Sequence, residues 1–135
     1  MIVIPDASAV ALIADLIAQI TTVYHLIVQP VTLSQFTTLA QLIEAKWPAY
    51  SPSTVTSWSP ALTVSGRAVS TADPVLWTRG VGGVASEVFG YFVTDTAGGP
   101  LLWAELRPQG PIVMTAPDDQ LVLLPQLTLR ADTSP

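Results

Sequence analysis

The sequence predicts a mainly β fold: an antiparallel β-sandwich or Greek-key-like single domain with an N-terminal helix and a short second helix. Three observations lead there. Beyond about residue 60, short runs of aliphatic, aromatic and β-branched residues alternate with turns rich in Gly and Pro. Only one long stretch, near the N-terminus, carries apolar residues at sustained helical spacing. No internal repeat or linker interrupts the chain, so its 135 residues read as one domain, 1–135, with a helical segment 7–20 and a β-rich body 22–130.

The elements follow in order. Asp6 reads as an N-cap, and Val10, Ile13, Ile17 and Ile20 recur at helical spacing, with Leu12 and Leu16 widening the stripe. That predicts a helix over 7–20. Its face has two readings, a docking arm for a neighbouring subunit or a cover for the domain's own core. The second is preferred, because apolar helix faces usually point inward. Residues 22–31 turn β-branched and aromatic, predicting a strand ended by Pro30. In 36–46, Phe36, Leu39, Leu42 and Ile43 are spaced for a short helix, which Pro48 and Pro52 then break.

Everything after that reads as β. Residues 61–65 and 68–71 form a hairpin around Gly66-Arg67, and further strands fall at about 75–78, 86–94, 100–106, 111–116 and 120–129. Segments 84–95 and 100–107 should pair across the turn 95–99. Alternation puts Phe89, Tyr91 and Val93 on one face and Val88, Gly90, Phe92 and Thr94 on the other. An aromatic on each face predicts a central strand covered on both sides.

Composition narrows the function. Half the residues are hydrophobic and 11% charged, against about 25% charged in ordinary domains. Mean hydropathy is +0.50. A domain this small cannot hide that excess in its own core, so burial between subunits is expected. A membrane span is not. The longest stretch without acidic or basic side chains other than His25, Leu16 to Ile43, is broken by Pro30, by Gln residues that include Gln19, Gln29 and Gln35, and by several Thr. The N-terminus lacks the basic flank of a signal peptide, and Asp6 and Asp15 interrupt it.

A net charge of −5 argues against direct nucleic-acid binding, as does the scatter of the five basic residues, Lys46, Arg67, Arg79, Arg107 and Arg130. The absence of cysteine removes disulfides, zinc-thiolate sites and cysteine nucleophiles together.

Chemistry-bearing motifs are sparse. His25, the single histidine, sits between Tyr24 and Leu26 with no nucleophile elbow in the chain, so it reads as a packed or surface residue. The carboxylates Asp73, Glu87, Asp95, Glu105, Asp118 and Asp119 could include a glycosidase pair. They mostly occupy turns or presumed strand faces, where acidic residues serve solvation and turn geometry. Asp118-Asp119 lacks the rest of a calcium loop, and Gly80-x-Gly82-Gly83 lacks the spacing and following helix of a phosphate cradle. No catalytic residue, cofactor or metal is expected.

Trp77 and Trp103 read as core, whereas Trp47, Tyr50 and Trp58 lie in a Ser/Pro-rich stretch and are expected to reach a surface. The candidate interface residues are therefore Val10, Ile13, Ile17, Ile20, Trp47, Tyr50 and Trp58.

Phe89-Gly90-Tyr91-Phe92-Val93-Thr94-Asp95, then Gly98, then Leu101-Leu102-Trp103-Ala104-Glu105, then Asp119 through Pro125 to Leu129, resembles a family of small tailed-bacteriophage virion proteins. The resemblance covers roughly residues 22–130. The helix at 7–20 is more apolar than that family would suggest. The resemblance implies a non-enzymatic virion structural protein, assembled in the host cytoplasm. The expected role is a capsid cement or decoration subunit stabilising contacts between major capsid proteins. The partners would be the major capsid protein or other virion proteins, with a homo-oligomer, trimer or dimer, as the subunit's own state. The alternative is a tail, baseplate or fibre component with a carbohydrate-binding role.

Overall fold

A computed structural model describes residues 6–64, 67–83, 85–96 and 98–130. The element order is α1 (Asp6–Gln19), β1 (Thr22–Ile27), a 3₁₀ turn (Leu39–Gln41), β2 (Ser53–Val55), β3 (Leu62–Val64), β4 (Arg67–Thr71), β5 (Val75–Thr78), β6 (Ser86–Val88), β7 (Gly90–Asp95), β8 (Leu101–Leu106), β9 (Ile112–Met114), β10 (Gln120–Leu123) and β11 (Gln126–Arg130). The fold is mainly β, with several antiparallel sheets and one N-terminal helix, as its sequence predicts.

The chain forms two compact units, each assembled from separate stretches: Met1–Thr21, Val55–Val75 and Leu123–Pro135 in one, Thr22–Thr54 and Leu76–Val122 in the other. It crosses between them after α1 and within β2, β5 and β10.

The first unit is a three-stranded sheet in the order β11-β4-β3 with α1 packed beside it. Leu62 pairs with Val69 and Val64 with Arg67, so the predicted hairpin forms, with Arg67, read as a turn residue, instead opening β4; residues 65–66 themselves lie outside the described set, as does the Asp6 side chain. Ala9 and Ile13 bury against Ala68, and Val10, Ile17, Ala61 and Leu127 close around them. The small Ala68 side chain leaves room for the helix, so the i, i+4 stripe seats directly on the central strand.

The second unit is built on a four-stranded antiparallel sheet in the order β2-β1-β7-β8. All six side chains of β1 are buried, the pattern of a strand covered on both faces. Register places His25 opposite Phe92 and Tyr24 opposite Val93, and continues with Phe92 opposite Ala104 and Val93 opposite Trp103. As expected, β7 is a central strand, with a register shift after Val93. A core of Ile27, Leu42 and Phe92 lies on one face, closed by residues that include Val31, Leu33 and Leu106. The pairs β6–β9 and β5–β10 complete the strand set.

Three sequence expectations change. The helix predicted over 36–46 shrinks to the turn Leu39–Gln41, where Thr38 N–H is capped by the Gln41 side chain. Its C-terminal half joins β1: Val28 N–H donates to Ile43 O at 2.9 Å and Ala45 N–H to Leu26 O at 3.1 Å. Backbone partners offered by the C-terminal end of β1 outcompete a three-turn helix whose second and third residues are threonines.

The strand predicted at 86–94 breaks at Phe89, whose N–H bonds Ile27 O while its carbonyl accepts from Arg107 N–H. The one predicted at 120–129 breaks around Pro125, which has no N–H for a ladder. The Pro125 carbonyl accepts Ala72 N–H instead.

Candidate functional site

The densest polar arrangement among the described residues lies on one face of β1. Alternation sends Val23, His25 and Ile27 to that face and Tyr24 and Leu26 to the other. His25 is 2% exposed, and its ring lies flat on Phe92 with centroids 4.5 Å apart and planes 2° from parallel. Nδ1 meets Glu44 Oε2 at 2.8 Å, and Nε2 meets Thr94 Oγ1 at 2.9 Å. Glu44 is brought there by the antiparallel bridge between Ile27 and its own backbone.

The same carboxylate oxygen accepts the Tyr50 hydroxyl at 2.7 Å, and the Tyr50 oxygen in turn accepts Leu26 N–H at 3.1 Å. Burial pushes the Tyr50 hydroxyl well above the usual phenol range, and the neighbouring Glu44 adds to that. It therefore stays a donor at every physiological pH.

Hydroxyl, imidazole and carboxylate in a row is the order of a nucleophilic triad. Here it cannot work as one. The single proton of Thr94 goes to the Thr96 carbonyl at 2.6 Å, so a lone pair, not an O–H, faces His25. The base has no proton to take, and Thr94 is completely buried. The arrangement fastens the 42–50 segment and the 94–96 bend to the sheet.

The opposite face is aromatic. Tyr24 stacks on Tyr91 at 5.4 Å and meets Trp103 edge-on at 6.3 Å. Tyr91 donates to Glu105 Oε2 at 2.8 Å, and Glu105 is exposed. Burial, reinforced by Glu105, raises both tyrosine hydroxyls above their ordinary range. Tyr24 is wholly internal, whereas Tyr91 and Trp103 are half-buried.

The candidate interface residues scatter. Ile13 is buried in its own unit, and Val10 and Ile17 pack around it, so the stripe read as a possible docking arm covers the local sheet. Ile20 is half-buried. Trp47, expected at a surface, is buried against Tyr50, with ring centroids 5.3 Å apart and planes at 73°. The pull of the sheet on residues 43–45 carries it inward. Tyr50 and Trp58 are half-buried; Trp58 forms an isolated bridge with Ala72. The helix instead exposes Leu12 (51%) and Leu16 (43%), residues the sequence reading used only to widen its stripe.

The acidic residues are dispersed. Asp119 caps a turn, accepting Thr115 N–H at 2.9 Å and Ala116 N–H at 2.8 Å, and these bonds hold its carboxyl below the usual range. Asp118 adopts φ 70°, a left-handed conformation that Asp tolerates better than most residues. Among the described residues no group of three or more His, Asp or Glu is placed to hold a metal ion. No described helix is long and apolar enough to cross a membrane.

The His25 network was missed because its members lie 19 and 69 residues from His25 and share no spacing rule. The single signal was a polar ring inside an apolar strand. The chain matches no protein-family model, no curated protein and no solved structure.

Proposed function

We propose that this chain is a non-enzymatic structural subunit of a tailed-phage virion that works by packing against other virion proteins. Its role is that of a cement or decoration subunit bridging major capsid proteins. The observation that carries this reading is the amount of large apolar surface left uncovered by the fold: Leu12, Phe36, Leu62, Val81, Val122 and Leu124 are all more than half exposed. With 11% charged residues, little polar surface surrounds them, and such surface marks sites of association. The sequence resemblance supplies the virion. The buried, proton-committed Thr94 supports the absence of catalysis at the triad-like arrangement of Thr94, His25 and Glu44.

Copy number tests the position. Quantitative mass spectrometry of purified particles should give copies in proportion to the major capsid protein. A copy number proportional to tail proteins, or absence from the particle, would refute the cement role. Sedimentation of the isolated protein should show a trimer or dimer at micromolar concentration; a monomer at every concentration would count against self-association.

The alternative is a tail, baseplate or fibre component with a carbohydrate-binding role. It is favoured by the half-buried Tyr91 and Trp103 beside the exposed Glu105, the pairing of aromatic face and carboxylate that sugar rings use. Glycan-array binding that disappears in Trp103→Ala would favour it over the capsid role.

A further inference from the structure

We propose that β8 is a self-association edge: two copies of this chain join their four-stranded sheets by antiparallel β8–β8 pairing across a twofold axis at Ala104. This deepens the self-association in the function proposed above and rests on it.

β8 closes the sheet β2-β1-β7-β8, and among the described residues no strand pairs with its outer side. Arg107 N–H donates to Phe89 O at 2.8 Å, so residue 107 turns its backbone groups towards the sheet. Antiparallel ladders alternate, so Glu105 and Trp103, opposite Tyr91 and Val93, turn theirs the same way. The register shift against β7 falls beyond Trp103, and residues 103–106 alternate regularly. Ala104 and Leu106 therefore aim their N–H and C=O groups away from β7. Their side chains pack on the core of Ile27, Leu42 and Phe92, which fixes that direction.

Edge strands are normally kept short, charged or interrupted by proline, because an open ladder recruits another strand. At the opposite edge β2 has three residues. β8 has six, LLWAEL, with one charge and no proline. Proline stands just outside, at Pro100 and Pro108, and without an N–H each bounds the window 101–107.

That window is what selects a second copy as the occupant. Its midpoint is Ala104, whose groups point outwards, and a closed twofold contact sets one patch against itself. Centred there, Ala104 meets the partner's Ala104 in a doubly hydrogen-bonded pair, and Leu106 lies opposite the partner's Leu102. Trp103 then faces the partner's Glu105, so the carboxylates stay apart. Shifting the axis to residue 105 would set Glu105 directly against the partner's Glu105, which repels. Shifting it to residue 103 would set Leu106 against the partner's Pro100, which has no proton to donate.

The chain has no cysteine, so one introduced thiol reports the register. Across the axis Ala104 Cα atoms lie about 5.5 Å apart, inside the span of about 4.4–6.8 Å that a disulfide bridges. Two copies of residue 106 lie four positions out of step, about 14 Å along the strand. With diamide at micromolar protein, Ala104→Cys should form a covalent dimer and Leu106→Cys should not. In the unmodified chain, hydrogen exchange at the Ala104 and Leu106 amides should be slow in the dimer and fast on dilution, while Arg107 stays protected at both concentrations. Equal cross-linking of the two variants would overturn the proposal, as would none in Ala104→Cys. So would fast exchange at Ala104 where sedimentation shows a dimer, or a trimer in place of a dimer; either leaves self-association standing and moves it to another surface. A monomer at every concentration removes self-association and this edge together. If Ala104→Cys does not fold, exchange in the unmodified chain decides.

Discussion

At the scale of single residues, the fold depends on a few positions where space or hydrogen bonds leave no alternative. Gly90 is one: a methyl group there would run into the carbonyl oxygen of Glu105 on the neighbouring strand. Gly90→Ala should therefore destabilise by about 1–3 kcal/mol, read as a lower urea midpoint. Asp119 is a second. Its folded carboxyl titrates below the ordinary value because it accepts two backbone N–H groups. A depressed carboxyl contributes stability that is present above the ordinary range and lost as pH falls through the folded value. Asp119→Asn should flatten the acid limb of the stability profile and leave the alkaline limb unchanged, which denaturation at several pH values will check. Position-specific constraints of this kind were poorly legible. Nothing in the neighbours of Gly90 reveals how close β8 passes, and the partners of His25 are remote in sequence.

At the scale of elements, periodicity located what was local and failed where pairing decided. The helix at 7–20 and the strand at 75–78 were legible because each carries its own pattern, a 3.6-residue stripe in one and a short apolar run in the other. The stretch 36–46 also carries a helical stripe, yet half of it pairs with β1, an outcome no local pattern encodes. Breaks at Phe89 and Pro125 split two predicted strands, and only the second had a visible cause in its proline. Contributions within α1 should divide sharply. Ile13→Ala opens a cavity against Ala9 and Ala68 and should cost about 2–5 kcal/mol. Leu12→Lys, on the exposed flank, should change stability by no more than about 0.5 kcal/mol. Chemical denaturation of the two variants side by side makes the comparison.

At the scale of the whole molecule, the composition that argued for an assembly subunit reappears as uncovered leucine and valine side chains. The expected consequence is separable from folding. A variant with Leu12→Lys and Leu16→Lys should keep its circular-dichroism spectrum and lose incorporation into particles if α1 contributes to the contact. Retention of full incorporation would move the contact to another surface. The mainly β class was legible from composition and turns alone. The division into two units was not, because each unit draws on distant stretches and no linker marks a boundary.

That interlaced path also governs how the chain can be made. During synthesis α1 emerges more than a hundred residues ahead of Leu127, which helps close its apolar stripe, and of the β11 strand beside β4, both within residues 126–130. The first unit therefore cannot be completed until residues 126–130 have left the ribosome. Until then a nascent helix with an uncovered aliphatic stripe is what chaperones and proteases encounter.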